Sequence, residues 1–92
     1  MIVYVPTALR SYTGKQAQVD AQGASLAALL LDLERQYPGI RFRIIDEQDR
    51  IREHIKLFVN QEQVHSLAEH LTGSDEIHIM CALSGGAGFT RG

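Results

Sequence analysis

One stretch constrains the fold more than any other. After Ser25, the residues Leu26, Leu29, Leu30, Leu33 and Tyr37 recur at i, i+3, i+4, i+7 and i+11. That spacing gathers them on one face of a helix and leaves Asp32, Glu34, Arg35 and Gln36 on the outer side. Ser25 is a suitable N-cap, because its hydroxyl accepts from a free amide of the first turn. Pro38-Gly39 ends the helix: proline disfavours helical geometry in the residue before it, and glycine tolerates a left-handed exit. A lone helix with one apolar face needs an apolar surface to cover, so the rest of the chain must supply a sheet.

The flanking segments read as strands. Ile2 to Val5 is a short apolar run stopped by Pro6, and Ala17 to Ala21 alternates around Val19, so the two predict a hairpin. Arg10 to Lys15, with Gly14, reads as a turn. Arg41 to Glu53 reads as an irregular connection pinned by Ile40, Ile44, Ile45 and Ile51. Ile55, Leu57 and Val59 alternate with Lys56 and Phe58, which predicts a strand. Asn60-Gln61-Glu62 reads as a turn into a very short strand around Val64. Ser66 to Leu71 reads as one helical turn closed by Gly73, and Ile77, Ile79 and Cys81 predict a last strand. The expected core is Leu26, Leu29, Leu30, Leu33, Ile55, Leu57, Val59, Ile77 and Ile79. The fold class is α+β, a mixed sheet of four to five strands with one main helix packed across one face.

Ninety-two residues make a single domain. A net charge of −2 with no lysine- or arginine-rich run argues against nucleic-acid binding. One cysteine, Cys81, rules out an internal disulfide. The opening residues carry no basic leader, and no apolar run approaches the roughly 20 residues that span a bilayer. A soluble cytoplasmic protein with no membrane partner is expected.

Little in the chain points to its own chemistry. His54, His65, His70 and His78 lack metal-ligand spacing, since His65 and His70 are five apart rather than four, so no metal is expected. Cys81 sits in an apolar strand without an evident base, so packing is its expected role. No nucleophile-and-base or paired-acid constellation is visible, and the chain is not expected to be an enzyme. The glycine-rich end, Ser84-Gly85-Gly86-Ala87-Gly88-Phe89-Thr90-Arg91-Gly92, has no following helix or Lys-Ser/Thr step, so it is not a phosphate loop. Either it is a frayed terminus, or it is a strand of small residues that threads a partner's narrow channel. Residues 84–86 extended span about 10 Å.

At this point the chain resembles the ThiS/MoaD sulfur carriers, relatives of ubiquitin. Val5-Pro6-Thr7-Ala8-Leu9-Arg10 is similar to that family's first strand and loop, and Leu31-Asp32-Leu33-Glu34-Arg35-Gln36-Tyr37-Pro38-Gly39 to its helix and exit. Phe58-Val59-Asn60 resembles its strand-to-turn step. Gly73-Ser74-Asp75-Glu76-Ile77, followed by Leu83-Ser84-Gly85-Gly86, resembles its last turn and diglycine. The likeness is greatest to the branch serving cysteine or siderophore biosynthesis.

The resemblance implies a β-grasp domain over 1–83 and a flexible tail over 84–92. It further implies that the Gly86 carboxylate is the reacting group, with Ser84 and Gly85 threading the partner. A ubiquitin-activating-type adenylating enzyme would use ATP to make an acyl-adenylate there, and a sulfur donor would convert it to a thiocarboxylate. A sulfur-accepting biosynthetic enzyme would then consume the sulfur, and the carrier itself would bind no cofactor. Here Ala87 to Gly92 follow the diglycine, so the expected active form requires cleavage between Gly86 and Ala87 by a JAB/MPN-type metalloprotease. Strand alternation places Phe58 and Met80 on the face away from the helix, and with Leu83 they form the expected partner-docking patch. Two alternatives share these features: a ubiquitin-like protein modifier joined through Gly86 to lysines, and a β-grasp binding module whose diglycine is never activated.

Overall fold

The computed structural model describes residues 1–82. The expected reactive and tail positions Ser84, Gly85, Gly86 and Ala87, and the docking residue Leu83, lie outside the described residues.

Five strands form one sheet: β1 (Ile2–Tyr4), β2 (Gln18–Asp20), β3 (Ile55–Val59), β4 (Glu62–Val64) and β5 (Glu76–Cys81), in the order β2-β1-β5-β3-β4. The central β1–β5 pair is parallel, and the other neighbours are antiparallel. Helix α1 (Leu26–Gln36) covers one face. Leu26, Leu29, Leu30 and Leu33 are fully buried in one core cluster with Val3, Leu57, Ile77 and Ile79, and all nine expected core residues are buried. The helical period of one element meets the two-residue period of the others, which lets a chain this short close a core.

The start of α1 shows how loops complete the fold. A helix leaves its first amides without internal partners. Here Ser25 Oγ accepts from the Ala28 amide at 3.2 Å. The Leu26 and Ala27 amides donate to the carbonyls of Glu69 and Leu67 at 3.0 and 2.9 Å. The segment expected to form a helical turn over 66–71 is therefore an irregular loop with a bridge between Ser25 and His70. Its carbonyls face α1, and carbonyls used that way are lost to a helix of its own. Gly23 lies so close to the first turn that a Cβ there would collide with the backbone of Ala28 and Leu29.

Two other connections are more regular than the sequence predicts. Thr7–Tyr12 is a 3-10 helix that buries Leu9, and only then does the chain turn through Gly14 and Lys15, both at positive φ. Ile40–Ile44 forms a short helix, α2, in the segment expected to be irregular. Ile40 and Ile44, four apart, both face the core. Glu34 supports the start of α2, accepting from the Gly39 and Arg41 amides at 2.9 and 3.0 Å. Those two amides, with the Arg41 charge, hold the Glu34 carboxyl below its ordinary pKa. Gly39, at φ 98°, is where the left-handed exit expected of it occurs.

Candidate functional site

The sheet face opposite α1 carries no helix among the described residues. Alternation directs Ile2 and Tyr4 of β1, His78 and Met80 of β5, and Lys56 and Phe58 of β3 to this side. Register lines them up: Tyr4 pairs with His78 across the parallel step, and His78 pairs with Phe58 across the antiparallel one. The Tyr4 and His78 rings stack with centroids 4.3 Å apart and planes 13° from parallel. Phe58, His78, Met80 and Gln61 line one shallow depression, with Met80 54% exposed. Glu76 Oε1 lies 3.9 Å from His78 Nε2 at the edge of the patch.

Phe58 and Met80 therefore share a face, as their alternation requires. Tyr4 and Ile2 join them, although the sequence reading did not place either there. In the structure Val3 alone of the Ile2–Tyr4 strand is buried. The sequence does not show this facing, because Ile2-Val3-Tyr4-Val5 is apolar at every position.

Where β5 ends, the Ala82 amide donates to the His54 carbonyl at 2.7 Å. This fixes the point from which the chain continues toward Gly86. Cys81 is half-buried and packs against the core. Among the described residues no three His, Cys, Asp or Glu side chains gather closely enough to hold a metal ion. No described helix is long and apolar enough to cross a membrane. The surface offers an apolar and aromatic platform next to a chain exit, an arrangement suited to docking on another protein.

Comparison with known proteins agrees with this geometry. The ThiS family matches over residues 3–86. Sulfur carrier protein CysO of Mycobacterium tuberculosis is 36% identical over 89 residues, covering 91% of this chain and 96% of that one. A crystal structure of Mycobacterium tuberculosis CysO superposes with a TM-score of 0.84 at 34% identity, covering 89% of this chain and 98% of that one. The crystal structure of the Amycolatopsis orientalis BexX/CysO complex gives a TM-score of 0.86 at 32% identity, with 92% and 98% covered. The β-grasp architecture, the order of its elements and these likenesses agree: the chain belongs to the ThiS family and is a homologue of the sulfur carrier protein CysO.

Proposed function

We propose that this chain is a sulfur carrier whose reacting group is the carboxylate of Gly86, freed by removal of residues 87–92. The observation that carries the reading is the extent of the family match, which runs from residue 3 and stops at Gly86, the second glycine of the pair.

The chemistry follows from the weakness of a carboxylate as an electrophile. A carboxylate oxygen attacks the α-phosphorus of ATP and pyrophosphate leaves, giving a mixed anhydride with an attackable carbonyl. Hydrosulfide adds there and AMP leaves, giving the thiocarboxylate directly; a persulfide donor gives an acyl disulfide instead, from which a thiol releases the thiocarboxylate by taking the donor's remaining sulfur into a new disulfide. The carrier contributes the carboxyl group and a docking surface. A ubiquitin-activating-type enzyme contributes the catalytic groups and ATP, and a biosynthetic enzyme takes the sulfur for a small metabolite. While Gly86 is held in its amide to Ala87 there is no carboxylate to activate, so hydrolysis by a JAB/MPN-type metalloprotease comes first. This ATP-dependent sequence is assigned to the cytoplasm.

The open face built on Tyr4, Phe58, His78 and Met80 is the docking surface in this reading. Its apolar area and its position on the strand that leads to the tail support the assignment. The test is to cleave the full chain with a candidate metalloprotease and read the new terminus by mass. Release of a fragment beginning at Ala87 is expected. Cleavage elsewhere, followed by activation at another residue, would overturn the assignment of Gly86.

A further inference from the structure

The arginines of this protein are sorted by position. Six lie within the described residues, and three of them pair with aspartates: Arg35 with Asp32, Arg41 with Asp49 and Arg50 with Asp46. Arg10, Arg43 and Arg52 have no ion-pair partner among the described carboxylates. These same three surround the end of β5. Arg10 lines a depression with Met80 and Cys81, and Arg43 and Arg52 line the adjoining one with His54 and Cys81. Ala8 and Cys81 form the shared wall, and no carboxylate lines either depression.

Two of these side chains are held with their charged ends free. Arg52 donates from Nε to the Phe42 carbonyl at 2.7 Å, and its guanidinium lies 4.5 Å from the centre of the Phe42 ring. Arg10 donates from Nε to the Val5 carbonyl at 3.0 Å. In both, the terminal nitrogens have no acceptor among the described residues. A guanidinium fixed through Nε presents its outer edge with little freedom left to lose, which favours carboxylate recognition. The chain as a whole carries −2, so this cationic zone runs against the overall sign.

We propose that Arg10, Arg43 and Arg52 form a cationic collar around the root of the tail, and that it docks on carboxylates of the adenylating enzyme at the mouth of the channel that receives residues 82–86. The proposal rests on the sulfur-carrier reading above. Reach favours protein carboxylates over nucleotide phosphates as the occupant: five residues, 82–86, allow the reacting carboxylate to lie as much as about 17 Å beyond Cys81. The collar adjoins the apolar face through Met80, which lines both. The apolar face contributes contact area, while the collar orients the carrier and speeds encounter in a salt-dependent way.

The test uses the chain ending at Gly86, the enzyme that adenylates it, and ATP. The carrier KM, the ATP KM and kcat are measured at low and high salt. The triple variant R10Q/R43Q/R52Q is expected to raise the carrier KM about tenfold or more at low salt. It should lose most of the wild-type salt dependence and leave kcat and the ATP KM unchanged. R35Q/R50Q, which removes two paired charges elsewhere, should leave the carrier KM within about twofold of wild type. If the triple variant does not fold, Arg43→Gln carries the test alone, because the Arg43 side chain is exposed and bonds to none of the described residues; a several-fold rise in carrier KM is expected. An unchanged carrier KM in these variants overturns the collar, as does an equal rise in R35Q/R50Q. A rise in the ATP KM alone assigns the arginines to the nucleotide and also overturns it. If no enzyme adenylates the wild-type truncated chain, the carrier reading falls and takes the collar with it.

Discussion

Asn60 and Asp75 are joined by a 2.7 Å hydrogen bond from Nδ2 to Oδ1 that ties the β3–β4 turn to the loop entering β5. Asn60 Oδ1 accepts from the Glu76 amide at 2.9 Å, and its own amide donates to the Glu76 carbonyl at 2.9 Å. Asp75 Oδ2 in turn accepts from the Thr72 amide at 2.8 Å. Asn60 is also left-handed, at φ 51°. Asn60 therefore sets a turn and aligns β5, the strand that carries Met80. Asn60→Gly keeps the conformation and loses the two side-chain bonds, whereas Asn60→Ala loses those bonds and strains the left-handed backbone as well. A cost of about 1–3 kcal/mol is expected for Asn60→Ala and a smaller one for Asn60→Gly, measured by urea unfolding. Equal stability of both variants and wild type would show that the clamp is unimportant.

Asp75 also gives the fold a pH dependence. The Thr72 amide, then Asn60, holds its carboxyl below the ordinary range. The Gln22 amide and Arg35 do the same for Asp32, and the Arg50 amide for Asp46. A group depressed in the folded state stabilises it fully above its unfolded pKa, about 3.9 for aspartate. That contribution is lost as pH falls through the folded value. The melting temperature should thus be flat with respect to these groups near neutrality and decline below about pH 4. Asp75→Asn should show a lower plateau and a shallower acid decline; an acid limb identical to wild type would exclude Asp75 as a contributor.

Gln61, beside Asn60, adopts φ 75° without being glycine. Two positive φ values in the two-residue connection between Val59 and Glu62 match a turn that favours Asn-Gly. Gln61→Gly should therefore stabilise the protein by about 0.5–1 kcal/mol, read as a higher denaturation midpoint. A destabilisation would mean that the Gln61 side chain makes contacts that outweigh the backbone strain.

Much of this fold is legible in the sequence because its periods are clean. The Leu26-Leu29-Leu30-Leu33 face and the alternation of β3 and β5 each point to one burial pattern, and all are buried. The segments whose form departs from expectation, 10–12, 40–44 and 66–71, are short, and long-range contacts decide their form. Leu67 and Glu69 adopt a conformation set by the free amides of α1, which are distant in sequence. The docking face was half legible: Phe58 and Met80 follow from alternation, while Tyr4 needed the register with His78. The arginine collar was not legible, because Arg10, Arg43 and Arg52 converge only through the tertiary fold.

The helix face gives a stability check. Leu30 is fully buried, so Leu30→Ala should destabilise by about 2–5 kcal/mol in chemical denaturation. A change under about 0.5 kcal/mol would be inconsistent with its place in the core.

On the open face, Phe58→Asp should leave the melting temperature near that of wild type, since Phe58 is only half-buried, and weaken binding to the adenylating enzyme at least several-fold. Calorimetric titration measures this directly. Unchanged affinity would remove Phe58 from the docking surface.

In the proposed function the carboxylate of Gly86 carries the sulfur. The most direct measurement is intact mass after incubation of the full chain and a chain ending at Gly86 with the adenylating enzyme, ATP and a sulfur source. Exchange of one oxygen for sulfur is expected in the truncated chain, located on Gly86, with no change in the full chain until it is cut after Gly86. Equal reaction of both chains would contradict the need for cleavage, and a truncated chain that never gains sulfur from its verified partner would contradict the carrier function itself.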